Sequence, residues 1–267
     1  RGILWIKAGH EHGLTSSLIR HIEGKRFLFV NGMTCQWTWV FRFIEETEIA
    51  VPSVCISNRH RIYDIKPDVY WPPEIPTNGG QYIWRDANGD VDYQKSEYVP
   101  TEYGHTTAWY VDLSGAIWGA KGSTLHRYMP DGLDKEGNPV YNDQHVKTYQ
   151  IDGIDNIGKV IFQKDEDRLI LLDEGCRELA GGKVYVVNNW SSGNRNATYV
   201  CGLKGKNPSS IDVAGDYLFE VGWESRAKCW ITDLTDGSTV GTMEPYGDAG
   251  KTKYTGWVDI GFGITAY

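Results

Sequence analysis

Apolar and polar residues alternate in short runs separated by Gly, Asp and Asn, and one arrangement recurs. A strand leads into a polar or Gly turn and then a second, more apolar strand. The first copy is Leu18–Gly24 followed by Arg26–Val30, and the next is Trp109–Gly115 followed by Ala116–Trp118. Val160–Asp167 with Leu169–Leu172, and Ile211–Gly215 with Tyr217–Val221, give two more, and Gly256–Ile260 opens like a fifth. Alternation of period two bounded by turn residues predicts strands that bury one face. A third and a looser fourth strand follow the pair, as in Trp37–Phe43 with Ile49–Val54, and Lys228–Thr232 with Val240–Met243. Pro52, inside one of these fourth strands, fits an edge position, where no ladder donor is needed.

The last copies are spaced by about 50 residues, the period of a propeller blade of four antiparallel strands. The expected fold is all-β: a single β-propeller domain over residues 1–267, with four to six blades, five favoured, the ring either closed or incomplete at its ends. A β-sandwich, whose strands also come at regular intervals, is the alternative. Residues 58–107 interrupt the repeat and read as an insertion or a degraded blade. Asp131–Asn142 reads as a polar hairpin within the second blade. No amphipathic helix is expected; Leu169–Leu179 comes nearest, and Gly175 weakens it.

The interrupting segment holds the sharpest chemical signal, Asp86-Ala-Asn-Gly-Asp-Val-Asp-Tyr-Gln-Lys-Ser-Glu97. Asp86, Asn88, Asp90 and Asp92 occupy loop positions one, three, five and seven, and Glu97 position twelve. That is the oxygen spacing with which an EF-hand loop surrounds a hard cation. The expected cofactor is therefore a structural Ca²⁺ on these five residues. Val91 stands where the pattern wants glycine, and Gly89 lies two places early. Gly80–Trp84 reads as a strand and Pro100 follows closely, so neither flank is a helix. An Asn-Gly hairpin turn with solvated carboxylates is the competing reading.

The 267 residues suffice for one large β-domain or two small ones. Eleven Trp, 16 Tyr and 31 Gly against three Met favour strands and tight turns. A net charge of −8 with no long Lys/Arg run argues against nucleic acid and against an anionic membrane surface. No apolar run approaches the roughly 18 residues of a membrane span. Arg1 opens in what reads as mid-domain sequence, so a trimmed piece of a longer chain, with further domains, is expected. Cys35, Cys55, Cys176, Cys201 and Cys229 show no metal-site spacing; Cys35 with Cys55, or Cys201 with Cys229, could bridge in an oxidising compartment. Asn189-Trp-Ser and Asn196-Ala-Thr fit the glycosylation sequon.

Ile83–Asp90 through Tyr98, Trp109–Asp112 with Gly115–Trp118, Gly132–Tyr141 and the closing Gly256–Ile264 together resemble a group of secreted bacterial β-propellers related to NHL-type propellers. The resemblance implies a propeller, a secreted or extracytoplasmic protein and a metal loop at Asp86–Glu97. It implies no defined reaction.

No GxSxG, HExxH, P-loop or GxGxxG motif is present. His10-Glu-His12 would place two imidazoles on one strand face, and His60 and His105 stand at strand ends, where a propeller's mouth is lined. Glu220 and Glu224 are not distinguishable as glycosidase carboxylates without distances. Trp84, Trp109, Trp118, Trp190, Trp223, Trp230 and Trp257 recur at related places. Bulky aromatics between blades account for most of them, and exposed rings that stack on sugars for the rest. Trp190, in the polar loop Asn188–Arg195, is the leading sugar-stacking residue, with Trp109, His105, Trp223 and Arg195 beside it as ligand-binding residues. Three functions follow: an extracellular glycan- or polysaccharide-binding propeller with a calcium-braced loop; a glycosidase or polysaccharide lyase with its site in the central funnel; or a protein-interaction scaffold.

Overall fold

The computed structural model describes residues 14–32, 37–57, 72–76, 80–103, 108–176, 179–205, 209–222, 228–244 and 266. The fold is all-β and propeller-like, built of consecutive antiparallel sheets whose strands follow chain order. The strands are β1 (Leu14–Ile22), β2 (Lys25–Gly32), β3 (Trp37–Phe43), β4 (Ala50–Ser57), β5 (Gln81–Arg85), β6 (Tyr98–Thr101), β7 (Tyr110–Val111), β8 (Ile117–Lys121) and β9 (Thr124–Tyr128). They continue as β10 (Val146–Gln150), β11 (Lys159–Gln163), β12 (Arg168–Cys176), β13 (Leu179–Asn188), β14 (Thr198–Gly202), β15 (Ser209–Ala214), β16 (Tyr217–Gly222), β17 (Cys229–Asp233) and β18 (Thr239–Met243).

The first sheet runs β1 to β6 in order, and the second is β7 to β10. The third joins two four-stranded meanders, β11–β14 and β15–β18, through a short ladder of Leu179 and Ala180 on Ser210 and Ser209. The recurring strand pairs of the sequence are the hairpins β1–β2, β7–β8, β11–β12 and β15–β16. In the first, Ile22 faces Lys25 across Glu23 and Gly24, both at positive φ, the two-residue turn whose twist matches that of the strands. The opening of the fifth copy, Gly256–Ile260, lies outside the described residues.

The interrupting segment does not form a separate blade among the described residues. β5 pairs with β4 and β6 with β5, so the first sheet simply continues. This corrects the expectation for Pro52: β4 has neighbours on both sides and is no edge. Pro52 is tolerated because the β3–β4 register shifts beside it, and the β5 ladder begins only at Val54.

The chain divides into two compact units. The first comprises Arg1–Thr106, Val111–Gly119 and His126–Thr148; the second comprises Thr107–Tyr110, Ala120–Leu125 and Tyr149–Tyr267. In the first unit Trp37, Trp39, Phe41, Cys55, Tyr82, Trp84 and Tyr98 form one apolar cluster. In the second, Ile170, Leu172, Val184, Val186, Ile211 and Leu218 form another. Leu169–Leu172 is buried on both faces, as an unbroken apolar run predicts, so the nearest helix candidate is strand β12.

Candidate functional site

Three turns of the first unit share one construction. In Asp86–Gly89, Asp112–Gly115 and Asp134–Gly137 an aspartate is followed three residues later by a glycine with φ between +78° and +80°. That conformation favours residues without a Cβ. In two of them the carboxylate folds back onto its own turn: Asp112 Oδ1 accepts from the amides of Ser114 (2.9 Å) and Ala116 (3.1 Å), and Asp134 Oδ1 from those of Glu136 (3.0 Å) and Asn138 (2.9 Å). Asp86 Oδ1 instead accepts from the amide of Val91 at 3.2 Å. Each aspartate then meets an arginine carried by a strand: Arg42 at 3.2 Å from Asp86, Arg127 at 2.7 Å from Asp112 and Arg85 at 3.1 Å from Asp134. A short polar side chain that closes its own backbone turn is the ordinary work of Asp at such positions.

Asn138, fully buried, ties two of these turns to the first sheet. Its Oδ1 accepts from Arg42 Nε (3.1 Å) and Ser53 Oγ (2.7 Å), and its Nδ2 donates to the carbonyl of Asp86 at 2.6 Å. Asp131–Asn142 forms the expected polar hairpin between β9 and β10 of the second sheet, with Leu133 bridging Pro139 antiparallel and the Asp131 amide donating to the Val140 carbonyl across it, and Asn138 docks it on the first sheet.

These commitments account for the calcium-like loop. Asp86 is taken by Arg42 and Val91. Glu97 Oε2 accepts from the Trp84 indole at 2.9 Å and Oε1 from the amide of Ala87 at 3.0 Å. Asn88 caps the amide of Asp90, and Asp90 caps that of Asp92 while accepting from Gln94. Among the described residues no group of three or more His, Cys, Asp or Glu side chains is arranged to hold a metal. Successive Asx turns place Asp and Asn at the same intervals as an EF-hand loop, and here the oxygens of Asp86, Asn88, Asp90 and Glu97 accept hydrogen bonds from the protein itself. Burial, reinforced by the neighbouring Asp86 and Asp90 carboxylates, raises the pKa of Glu97 despite its two hydrogen bonds. For Asp112 burial acts the same way, yet Arg127, Ser114 and Trp118 outweigh it and the net shift is downward.

Beside these turns the first unit has an open groove of about 440 Å³, lined by Lys25, Arg26, Arg42, Glu45, Glu46 and Glu136 among others. Its rim charges are paired loosely: Lys25 lies 3.8 Å from Glu45, and Arg26 reaches Glu48 at 2.8 Å while resting on the Phe43 ring.

The second unit holds Trp109, Trp190 and Arg195 of the ligand-binding residues expected from the sequence, and the environment of the two indoles differs from the expectation. Trp190 is only 6% exposed and Trp109 only 1%, so neither offers a free ring face. Trp190 sits in a 3-10 turn, with the Tyr149 ring edge-on at 4.8 Å and the Arg195 guanidinium 3.6 Å above it. The long-range partner Tyr149 and the folding back of Arg195 bury an indole that its own polar loop could not. Trp84 and Trp118 are also fully buried, as interior aromatics should be. Their indole N–H groups reach Glu97 and Asp112 respectively, each at 2.9 Å. His10, His12, His60, His105, Trp223, Glu224 and Trp257 lie outside the described residues. Glu220 is buried, with its carboxylate on the amides of Lys204 (2.7 Å) and Gly205 (2.6 Å). Cys55, Cys201 and Cys229 are buried, and Cys201 and Cys229 are not bridged to each other; Cys35 lies outside the described residues.

Sequence reasoning missed Arg42, Arg85, Arg127 and Asn138. The readable signal was the recurrence of Asp-x-x-Gly across Asp86, Asp112 and Asp134; which arginine joins each turn depends on strand pairing.

No protein-family profile and no curated protein sequence matches the chain. Among solved structures it is similar to BamB from Moraxella catarrhalis, at 10% identity and a TM-score of 0.34, over 84% of this chain. The chain spans 60% of that protein's length.

Proposed function

We propose that the protein is a non-catalytic, extracytoplasmic recognition module that binds a glycan. One observation carries the non-catalytic part. Each carboxylate buried among the described residues (Asp86, Glu97, Asp112 and Glu220) is spent on backbone amides, an indole or a guanidinium. No histidine among the described residues is buried. A glycosidase or lyase needs acid and base groups left open to substrate, with two carboxylates or a His/Tyr/Arg cluster converging within about 10 Å.

The glycan reading is supported by the loop Asn188–Asn196. Asn188, Asn189, Ser191, Ser192 and Asn196 are exposed there, a density of amides and hydroxyls suited to a polyol. The resemblance to exported propellers supports the extracytoplasmic setting, and no helix among the described residues is long and apolar enough to cross a membrane. Affinity electrophoresis over a panel of soluble polysaccharides tests it. Selective retardation by at least one is the expected result, and uniform migration through all of them would overturn it.

The second reading, a protein-interaction scaffold, is favoured by the mixed-charge groove of the first unit, beside which Ile44 and Ile49 are exposed. A cation at Asp86–Glu97 remains a separate proposal, supported by the oxygen spacing and opposed by the hydrogen bonds that already occupy those oxygens. Calcium titration decides it.

A further inference from the structure

Among the arginines of the described residues, Arg20 donates to the carbonyls of Ile19 and Val111, and Arg26, Arg42, Arg85, Arg127 and Arg168 each ion-pair with a carboxylate. Arg195 does not. Its guanidinium lies 3.6 Å above the Trp190 ring and 4.9 Å from that of Tyr149, which fixes its plane. One terminal nitrogen, NH1, donates to the carbonyls of Trp190 and Asn194 at 2.9 and 2.5 Å. Nε and the second terminal nitrogen have no protein partner. Two acids touch this loop by other routes: Asp167 accepts from Ser191, and Asp152 meets it through its backbone amide on the carbonyl of Arg195. Neither ion-pairs with Arg195.

A part-buried guanidinium of this kind has already lost its rotamer freedom to the two rings, and it keeps two donors in the parallel geometry that matches a planar anion. Five other described arginines are neutralised by carboxylates, whereas Arg195, while it covers the Trp190 ring, keeps its charge without one in a chain of net charge −8.

We propose that Arg195 is the anchor of an anionic-saccharide site in the loop Asn188–Asn196. It would take a uronate carboxylate or sulfate ester on Nε and the free terminal nitrogen, while neighbouring Asn and Ser side chains bond the sugar hydroxyls. This rests on the glycan-binding reading and narrows it. The expected aromatic platform is replaced by a guanidinium edge, since Arg195 occupies the face of Trp190 that a sugar would need.

The test is affinity electrophoresis of the full chain in gels carrying polygalacturonate, fully methyl-esterified pectin, sulfated dextran, neutral dextran or poly-glutamate. Retention is compared for wild type, Arg195→Gln and Arg195→Lys, with folding of each checked by thermal melting. We expect retention by polygalacturonate or sulfated dextran, the pair showing which anion is taken. Methyl esterification should abolish it, and Arg195→Gln should weaken it roughly tenfold. Arg195→Lys, which keeps the charge and loses the fork, should fall between, and it decides the matter if Arg195→Gln does not fold. Equal retention by neutral and charged polysaccharides, or wild-type retention in both variants, overturns the Arg195 site and leaves glycan binding standing. Retention by poly-glutamate alone overturns the saccharide, and retention by no polysaccharide overturns the glycan reading itself.

Discussion

Replacing Asn138 by alanine removes the side chain on which the Asp86 and Asp134 turns and the first sheet converge. Three partners would lose it: Arg42 Nε, Ser53 Oγ and the carbonyl of Asp86, at 3.1, 2.7 and 2.6 Å. A buried polar group left without a partner costs about 1–3 kcal/mol. Arg42 keeps Asp86, and the three losses share one network and will not add fully. The expected destabilisation is therefore about 3–4 kcal/mol, well above the roughly 1 kcal/mol of an ordinary substitution. Urea unfolding followed by tryptophan fluorescence measures it, because the cluster of Trp37, Trp39 and Trp84 lies in the same unit. Hydrogen exchange localises it, with the amides of Val140 and Asp134, now bonded to Gly132 and Asn138 carbonyls, losing protection first. A loss below about 1 kcal/mol would refute the idea that Asn138 clamps these turns to the sheet.

Other expectations follow from the same geometry. Asp112→Asn leaves Arg127 without its carboxylate and should cost about 3 kcal/mol at pH 7. Because Asp112 titrates below the usual value of about 3.9, its contribution is present above that pH and is lost as pH falls through the lowered pKa; the variant should lack that acid-side loss in urea midpoints. Glu97 has the opposite sign: its raised pKa gives stability present below about 4.3 that is lost as pH rises through the raised value, so Glu97→Gln should lose less stability than wild type on going from pH 4 to pH 8. A Cβ on Gly158 would lie 2.3 Å from the backbone of Glu174, whereas one on Gly202 meets nothing within 4 Å. Thermal melting should show Gly158→Ala destabilised by about 2 kcal/mol or more and Gly202→Ala changed by less than about 1 kcal/mol. Native alkylation with mass mapping should leave Cys55, Cys201 and Cys229 unlabelled until denaturant is added; burial raises the last two thiols besides covering them.

The hairpins were readable because everything that builds them is local. Glu23-Gly24 and Gly215-Asp216 are short turns between strands whose alternation shows which face is buried. What pairs at a distance was not readable. β5 and β6 join the first sheet across a long interruption, and no local feature of Gln81–Arg85 says that its partner is Val54–Ser57. The Asp86–Glu97 loop is ambiguous in sequence for a physical reason: Asx turns and calcium loops both place Asp and Asn at alternate positions, and the partners its carboxylates take here, Arg42 and Trp84, enter no spacing rule. For Trp190 the burial was hidden in a related way. Its polar neighbours suggested exposure, while Tyr149, 41 positions away, and the guanidinium of Arg195 bury it.

Binding without chemistry is tested most directly in one vessel. The protein is incubated with polygalacturonate and with neutral dextran, and the same samples are assayed for bound protein, new reducing ends and unsaturated products. Retention on a polysaccharide with no new ends over a prolonged incubation is the expected result. New ends or unsaturated products that grow in proportion to protein concentration would contradict it and return the carboxylates of this chain to consideration as catalysts.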